Sequence, residues 1–120
     1  MSFSYFYGQR ADQYAYYRIP KALFCNMRFE KVSVEAKLLY GILLDRMGLS
    51  IKNKWLDAEG RVFIIFTIEE IMDALQCADQ KATRLLRELE KNGLIERRRR
   101  GLGRPNLIYL KDFMSGCPFP

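Results

Sequence analysis

Between Thr67 and Leu110 the apolar positions change period twice. Ile68, Ile71, Met72 and Leu75 recur at helical spacing, as do Ala82, Leu85, Leu86 and Leu89, and the short Gln76-Cys77-Ala78-Asp79 between them reads as a turn. Thr67 and Glu70 have the spacing of a capping box, in which hydroxyl and carboxylate satisfy amide donors at a helix start. Asp79 is the expected N-cap of the second helix, which runs from Gln80 to Asn92. Gly93 stands where a left-handed residue ends a helix. Beyond it, Leu94-Ile95-Glu96-Arg97-Arg98-Arg99-Arg100 meets Leu107-Ile108-Tyr109-Leu110 across Gly101-Leu102-Gly103-Arg104-Pro105-Asn106. Two short helices followed by a basic hairpin predict an α+β fold, a winged helix-turn-helix.

Upstream the pattern predicts two more elements and an arm. Ser33 caps a helix running to about Leu49. Ala36, Leu38, Leu39, Tyr40, Ile42, Leu43, Leu44 and Met47 leave only a thin polar or small stripe at Lys37, Gly41, Asp45 and Gly48. A helix apolar nearly all round is covered on more than one side, either as a central core helix or in part by a second subunit. Trp55-Leu56 and Val62-Phe63-Ile64-Ile65-Phe66 flank Asp57-Ala58-Glu59-Gly60-Arg61 and predict an additional β-hairpin before the helix-turn-helix. The first seventeen residues hold Phe3, Tyr5, Phe6, Tyr7, Tyr14, Tyr16 and Tyr17 without helical period. Such an aromatic N-terminal arm either folds back on its own domain or crosses onto a partner, and the crossing is the expectation. The division is an arm over 1–17, a winged-helix domain over 18–113 and a C-terminal tail over 114–120.

Charge tells which face works. Residues 79–112 hold ten Lys/Arg and five Asp/Glu, a net of +5, whereas residues 1–78 hold ten and nine, a net of +1. At about 100° per residue, the face of the second helix opposite its leucines is centred on Gln80, Arg84, Arg87 and Lys91, flanked by Lys81, Thr83 and Glu88. A solvated helix face is the bland alternative, but it does not account for a charge excess confined to this helix and the hairpin. Nucleic-acid binding does. Gln80, Lys81, Thr83, Arg84 and Arg87 are the candidates for the major groove, Arg84 for bidentate contact with guanine and Gln80 for adenine. Lys91, Arg97, Arg98, Arg99 and Arg100 are candidates for DNA contact beside them, the strand sending about half its arginines to each face. Gly101 and Gly103 let the wing tip turn tightly, and Arg104 is placed to reach a phosphate or the minor groove.

Chemistry other than binding finds little support. With no histidine in the chain, there is no histidine general base, no Ser-His or Cys-His pair and no zinc-finger spacing. The tyrosines supply candidate nucleophiles, but aromatic side chains are far more often packing groups. Gly101-Leu102-Gly103 lacks the rest of a phosphate loop and leads into a strand. Cys25, Cys77 and Cys117 are odd in number and widely spaced, as expected of free thiols in a reducing cytoplasm. No apolar run reaches membrane-spanning length, and the N-terminus lacks the apolar block of a signal peptide. No catalytic residue, metal site or cofactor is expected. At 120 residues and 49% hydrophobic, one compact core is.

A resemblance accompanies this reading. Tyr17-Arg18-Ile19-Pro20-Lys21-Ala22-Leu23-Phe24, Ser33-Val34-Glu35-Ala36-Lys37-Leu38-Leu39-Tyr40-Gly41 and Leu44-Asp45-Arg46-Met47 are similar to the opening blocks of the plasmid replication initiator A family. Gly60-Arg61-Val62-Phe63-Ile64-Ile65-Phe66-Thr67, Gly93-Leu94-Ile95-Glu96-Arg97, Gly101 to Asn106 and Ile108-Tyr109 continue it, over about residues 14–113. The resemblance implies a dimeric winged helix binding repeated double-stranded sites in a plasmid origin to start replication. It also implies a separate C-terminal domain, not contained in this sequence, that recruits host replication proteins. The family's DNA-reading helix and wing map onto Gln80 to Lys91 and Arg97 to Arg104. One departure is Ala78, where a capping Ser or Asn is expected, which transfers capping to Asp79.

Two other readings stay open. A winged-helix transcriptional regulator would use the same surface at a single operator, where an initiator uses tandem repeats inside an origin. A protein-interaction module would bind DNA weakly and almost independently of salt. RNA binding is remote, because the aromatics lie away from the basic stretch.

Overall fold

The computed structural model describes residues 2–8 and 14–113; the tail over 114–120, with Cys117, lies outside the described residues. The chain is built around one long helix. Helix α2 (Val34–Lys52) starts where Ser33, in extended conformation, accepts a hydrogen bond from the Ala36 N–H at 3.1 Å. It extends three residues past the expected Leu49, because the chain first turns left-handed at Lys54, with φ 60°. There Trp55 N–H donates to the Ser50 carbonyl and Lys54 N–H to that of Ile51, which satisfies two otherwise unpaired carbonyls. Ala36, Leu39, Tyr40 and Leu43 are fully buried, so α2 is the central core helix. Val34, Leu38 and Leu49 on its remaining face stay exposed.

Arg18 and Ile19, which follow the arm, cross α2 at Gly41. At Gly41 an added Cβ would stand 2.8 Å from Ile19 Cγ1 and 3.1 Å from the Arg18 carbonyl oxygen, so this close approach requires glycine. Two elements without a sequence signal follow the crossing: helix α1 (Ala22–Cys25) and a 3₁₀ turn at Met27–Phe29. They bury Leu23 and Phe29 against α2, and at four and three residues they are too short to show a period.

The expected hairpin is reduced. Leu56 and Val62 form one antiparallel bridge, and the turn between them is organised by the Asp57 carboxylate, which accepts from the N–H groups of Glu59 and Arg61. Val62–Phe66 does not form a continuous strand. Its next pairing is to a different partner, where Ile64 exchanges two 2.9 Å backbone hydrogen bonds with Ile108.

Helix α3 (Ile68–Leu75) begins with the full capping box: Thr67 Oγ1 accepts from Glu70 N–H and the Glu70 carboxylate from Thr67 N–H. Arg46 of α2 reaches the same carboxylate. The helix ends at Gln76 in left-handed conformation, and Ala78, not Asp79, is the N-cap of α4 (Asp79–Lys91). The Ala78 side chain carries no acceptor, so Asp79 occupies the first turn, where its charge suits the helix dipole but does not cap. At the far end Gly93, with φ 78°, donates to Glu90 and Leu94 donates to Leu89, the expected left-handed stop. Strands β1 (Ile95–Arg98) and β2 (Leu107–Leu110) then pair antiparallel, with Glu96 opposite Tyr109 and Arg97 opposite Ile108. With the Ile64 bridge, the order across this small sheet is Ile64, β2, β1. Leu85, Leu86 and Leu89 of α4, Ile71 of α3, Ile95 and Ile108 close one core with α2. Among the described residues no helix is long and apolar enough to cross a membrane.

Candidate nucleic-acid interface

Packing of its leucines fixes which way α4 turns its charges. With Ala82, Leu85, Leu86 and Leu89 buried, Gln80, Arg84, Arg87 and Lys91 project to solvent. Asp79, Gln80, Thr83, Arg84 and Arg87 line a shallow concavity of about 360 Å³ on this outer face.

The two flanks of the stripe meet different neighbours. On one side Glu88 reaches the N-terminus of α2. Its carboxylate accepts from Ser33 N–H at 2.5 Å and from Ser33 Oγ at 2.9 Å. Lys81, on the same flank, pairs with Glu35 at 2.5 Å. That hydrogen bond, with Arg84 close by, holds the Glu35 carboxyl below the usual carboxylate range. On the other side Glu90 reaches the sheet. Its Oε1 accepts from Arg97 Nη2 at 2.8 Å and Nε at 3.1 Å, and its Oε2 from Arg97 N–H at 3.4 Å.

The four consecutive arginines therefore do not form one patch. Arg97 turns toward α4. Arg98 lies on the opposite face of the sheet, 2.6 Å from Glu96 and stacked over the Tyr109 ring at 5.0 Å. Arg61 approaches the same ring at 5.3 Å, and the Tyr109 hydroxyl donates to Asp57 at 3.0 Å. Burial pushes the Asp57 carboxyl up, but the hydrogen bonds from Arg61, Tyr109 and Glu59 outweigh it and bring its pKa to about 2. Arg99 is exposed beyond the end of β1, and Arg100 Nε donates across the loop to the Pro105 carbonyl at 3.1 Å. Arg104 is exposed beside the start of α3, where it shares a cleft with Thr67, Ile68, Glu69 and Asn106.

The eleven sequence-assigned residues thus divide. Arg84, Arg87, Lys91, Arg99, Arg100 and Arg104 have no carboxylate at ion-pair distance among the described residues, and Gln80 is exposed beside them. Lys81, Arg97 and Arg98 are each paired with a carboxylate, and Thr83 is half-buried. Sequence reasoning missed those partners: Glu35, Glu90 and Glu96, with Glu88 beside them. Glu88 and Glu90 carried a signal, since their angular positions place them on opposite edges of the basic stripe.

The arm supplies the other exposed surface. Phe3, Tyr5, Phe6, Tyr7, Tyr14, Tyr16 and Tyr17 are all more than half exposed, and ring contacts join Phe6 to Tyr14 and Tyr14 to Tyr16. Clefts of about 480 and 520 Å³ lie where Tyr16, Tyr17 and Ile19 meet Gly41, Asp45 and Gly48 of α2. Cys25 and Cys77 are free thiols.

Known proteins match most of this chain. The family described as the replication initiator protein A (RepA) N-terminus matches residues 15–117. A "41 kDa protein" of Lactobacillus helveticus is 28% identical over 101 residues, 79% of this chain. The match spans only 29% of that relative's length. A solved "N-Terminal domain of DNA binding protein" is 36% identical, with a TM-score of 0.74, and covers 92% of this chain and 84% of its own. A "Structure of Rep-DNA complex" is 37% identical at TM-score 0.74, covering 90% and 83%. A "Structure of MDR initiator" is 36% identical at TM-score 0.70, covering 90% and 85%. The chain thus shares a mixed fold, helices with a small antiparallel sheet, with solved initiator and DNA-binding domains.

Proposed function

Because the chain belongs to the replication initiator protein A N-terminal family, we propose that it is a winged helix-turn-helix that binds repeated double-stranded sites in a plasmid replication origin and so takes part in initiation. Helix α4 lies in the major groove, and the β1–β2 hairpin is the wing. The carrying observation is the row of cations without carboxylate partners, Arg84, Arg87 and Lys91 on the helix and Arg99, Arg100 and Arg104 on the hairpin. These cations point away from the core, where phosphates and base edges are reached at no cost in broken ion pairs. Gln80 and Arg84, in the first half of α4, read bases; the remaining five cations neutralise phosphates.

The domain acts as a homodimer, joined through the aromatic arm and the exposed face of α2. Seven exposed aromatic rings on one short segment support this, since so much apolar surface is unfavourable in water. Two copies of α4 then sit about 34–36 Å apart, in successive major grooves on one side of the duplex. Contact with host replication proteins belongs to a C-terminal domain outside this sequence, and the site of action is the cytoplasm. We assign this surface to binding and not to catalysis.

Selection of bound sites from random duplex DNA, followed by a salt series on the winner, tests the reading. Five phosphate contacts give a slope of log affinity against log salt of about −4.5 per protomer. Enriched sites that recur as tandem repeats in an origin support initiation, and a single operator site would favour transcriptional control. Absence of any enriched site, or affinity indifferent to salt, would refute it. Sedimentation of a chain beginning at Tyr14 tests the arm: an unchanged dimer removes it from the interface.

A further inference from the structure

The two basic surfaces that dock on DNA are joined to each other by one ion pair. Glu90 lies in the last turn of α4, on the flank facing the sheet, and Arg97 lies in β1 on the same face as the buried Ile95. Two guanidinium bonds and the Arg97 backbone N–H all end on the Glu90 carboxylate. The pair bridges the Asn92-Gly93 turn by which the chain passes from helix to wing. Its side chains are 23% and 38% exposed, and the Arg97 side chain is the least exposed cation among the ion pairs here. Arg98 makes a contrast, since its partner Glu96 lies two residues away on the same strand and ties no two elements together.

We propose that Arg97 is a positioning residue, held by Glu90 so that the wing cations keep a fixed distance and angle to the outer stripe of α4, and that it does not itself neutralise a phosphate. This rests on the DNA-binding reading above. Helix and wing engage one duplex together, so the second contact is intramolecular, and its advantage depends on how rigidly the two are joined. The wing is short, four residues per strand around an eight-residue loop. The wing is also held by Ile95 and Ile108 in the core, the bridge to Ile64 and the Tyr109 hydroxyl on Asp57, but among the described residues the pair with Glu90 is the one side-chain polar contact that ties it to α4.

The sign of one substitution distinguishes the roles. Removing an acid beside a phosphate-binding surface ordinarily tightens DNA binding. Glu90→Gln is expected instead to weaken binding of the full chain to its selected duplex by about five- to tenfold, with the salt slope unchanged, because no phosphate contact is lost. Arg97→Gln is expected to weaken it by the same factor, and the charge swap E90R/R97E to recover most of the loss. Thermal melts run in parallel establish that each variant is folded at the assay temperature. If Arg97→Gln does not fold, Glu90→Gln and the swap decide. Tighter or unchanged binding by Glu90→Gln overturns the proposal. So does a slope about 0.9 shallower in Arg97→Gln, which identifies a phosphate contact. A swap as weak as the single variants, or a lowered melting temperature with affinity intact, overturns it too. If the unmodified chain binds neither selected nor random duplex, the DNA reading itself fails and takes this proposal with it. If the unmodified chain binds and Glu90→Gln does not weaken, only the positioning role falls.

Discussion

Replacing Glu88 with alanine removes an acid from a basic surface, so charge counting alone expects a harmless or favourable change. The geometry expects the opposite for stability. Glu88 accepts from both the N–H and the hydroxyl of Ser33, the residue that caps α2, and the same hydroxyl accepts from Ala36 N–H. Hydrogen bonds to a charged group contribute about 1.5–3 kcal/mol each when well shielded. These are part-buried and the freed donors regain water, so about 1 kcal/mol each is the reasonable figure, about 2 kcal/mol for Glu88→Ala. Ser33→Ala loses the hydroxyl bond to Glu88 and the cap on Ala36, again about 2 kcal/mol. The double variant loses the shared bond only once, so it should cost about 3 kcal/mol where additivity gives about 4, a coupling of about 1 kcal/mol.

Urea unfolding of the four proteins measures these differences, and thermal melts should show Glu88→Ala about 8 °C below the parent. A loss under about 0.5 kcal/mol, or strict additivity with Ser33→Ala, would mean that Glu88 does not hold α4 to the start of α2, and the reasoning would be wrong. Duplex binding by the folded variant adds a second reading. If Glu88 only anchors the helix, phosphate affinity should rise slightly with the lost negative charge.

Three further outcomes are expected. Arg84→Ala should weaken binding to the selected duplex by about 1–3 kcal/mol and to scrambled DNA much less, whereas Arg87→Ala should weaken both alike and make the salt slope shallower by about 0.9; equal losses for Arg84→Ala on both duplexes would reassign it to a phosphate. Lys54→Gly should stabilise the domain by about 0.5–1 kcal/mol in urea, since left-handed conformation costs a lysine about 1–2 kcal/mol and glycine returns part of that as unfolded-state entropy; a loss of stability would show that the Lys54 side chain makes a compensating contact. In acid, Asp57 should act as a stabilising group that is lost on protonation: its folded pKa of about 2 lies below the ordinary 3.8, so its contribution is complete above about pH 4 and disappears as the pH falls toward 2. The lowered carboxyls of Glu35, Glu90 and Glu96 act in the same direction, and Asp57→Asn should flatten the melting profile in that window.

What the sequence revealed and what it hid divide by range. The Ser33 cap, the Thr67–Glu70 capping box and the Gly93 stop were legible because each is settled by atoms within a few residues of one another. The start of α4 was misplaced by one residue because Ala78 holds the cap position without supplying a cap. Val62–Phe66 has the composition of a strand, but a ladder needs a partner along its length, and only Ile64 finds one in β2. The second helix allowed a further step, since period alone set Gln80, Arg84, Arg87 and Lys91 opposite the leucines, and these are the residues left in solvent.

Period cannot, however, assign the residues at the edge of that stripe. Glu88 and Glu90 are both acids at its edges, yet one holds Ser33 at the start of α2 and the other Arg97 of β1. The difference lies in which element packs beside each flank, the N-terminus of α2 on one side and β1 on the other, and that is a property of the assembled core. The same holds in the arginine run. Strand alternation sends Arg97 and Arg98 to opposite faces, but only the placement of Glu90 on α4 makes the inner one a link between helix and hairpin. A count of basic residues therefore overstates the surface available to DNA. Three of the nine cations assigned to it are already paired with carboxylates, so the measured salt slope should follow the open cations and not the composition.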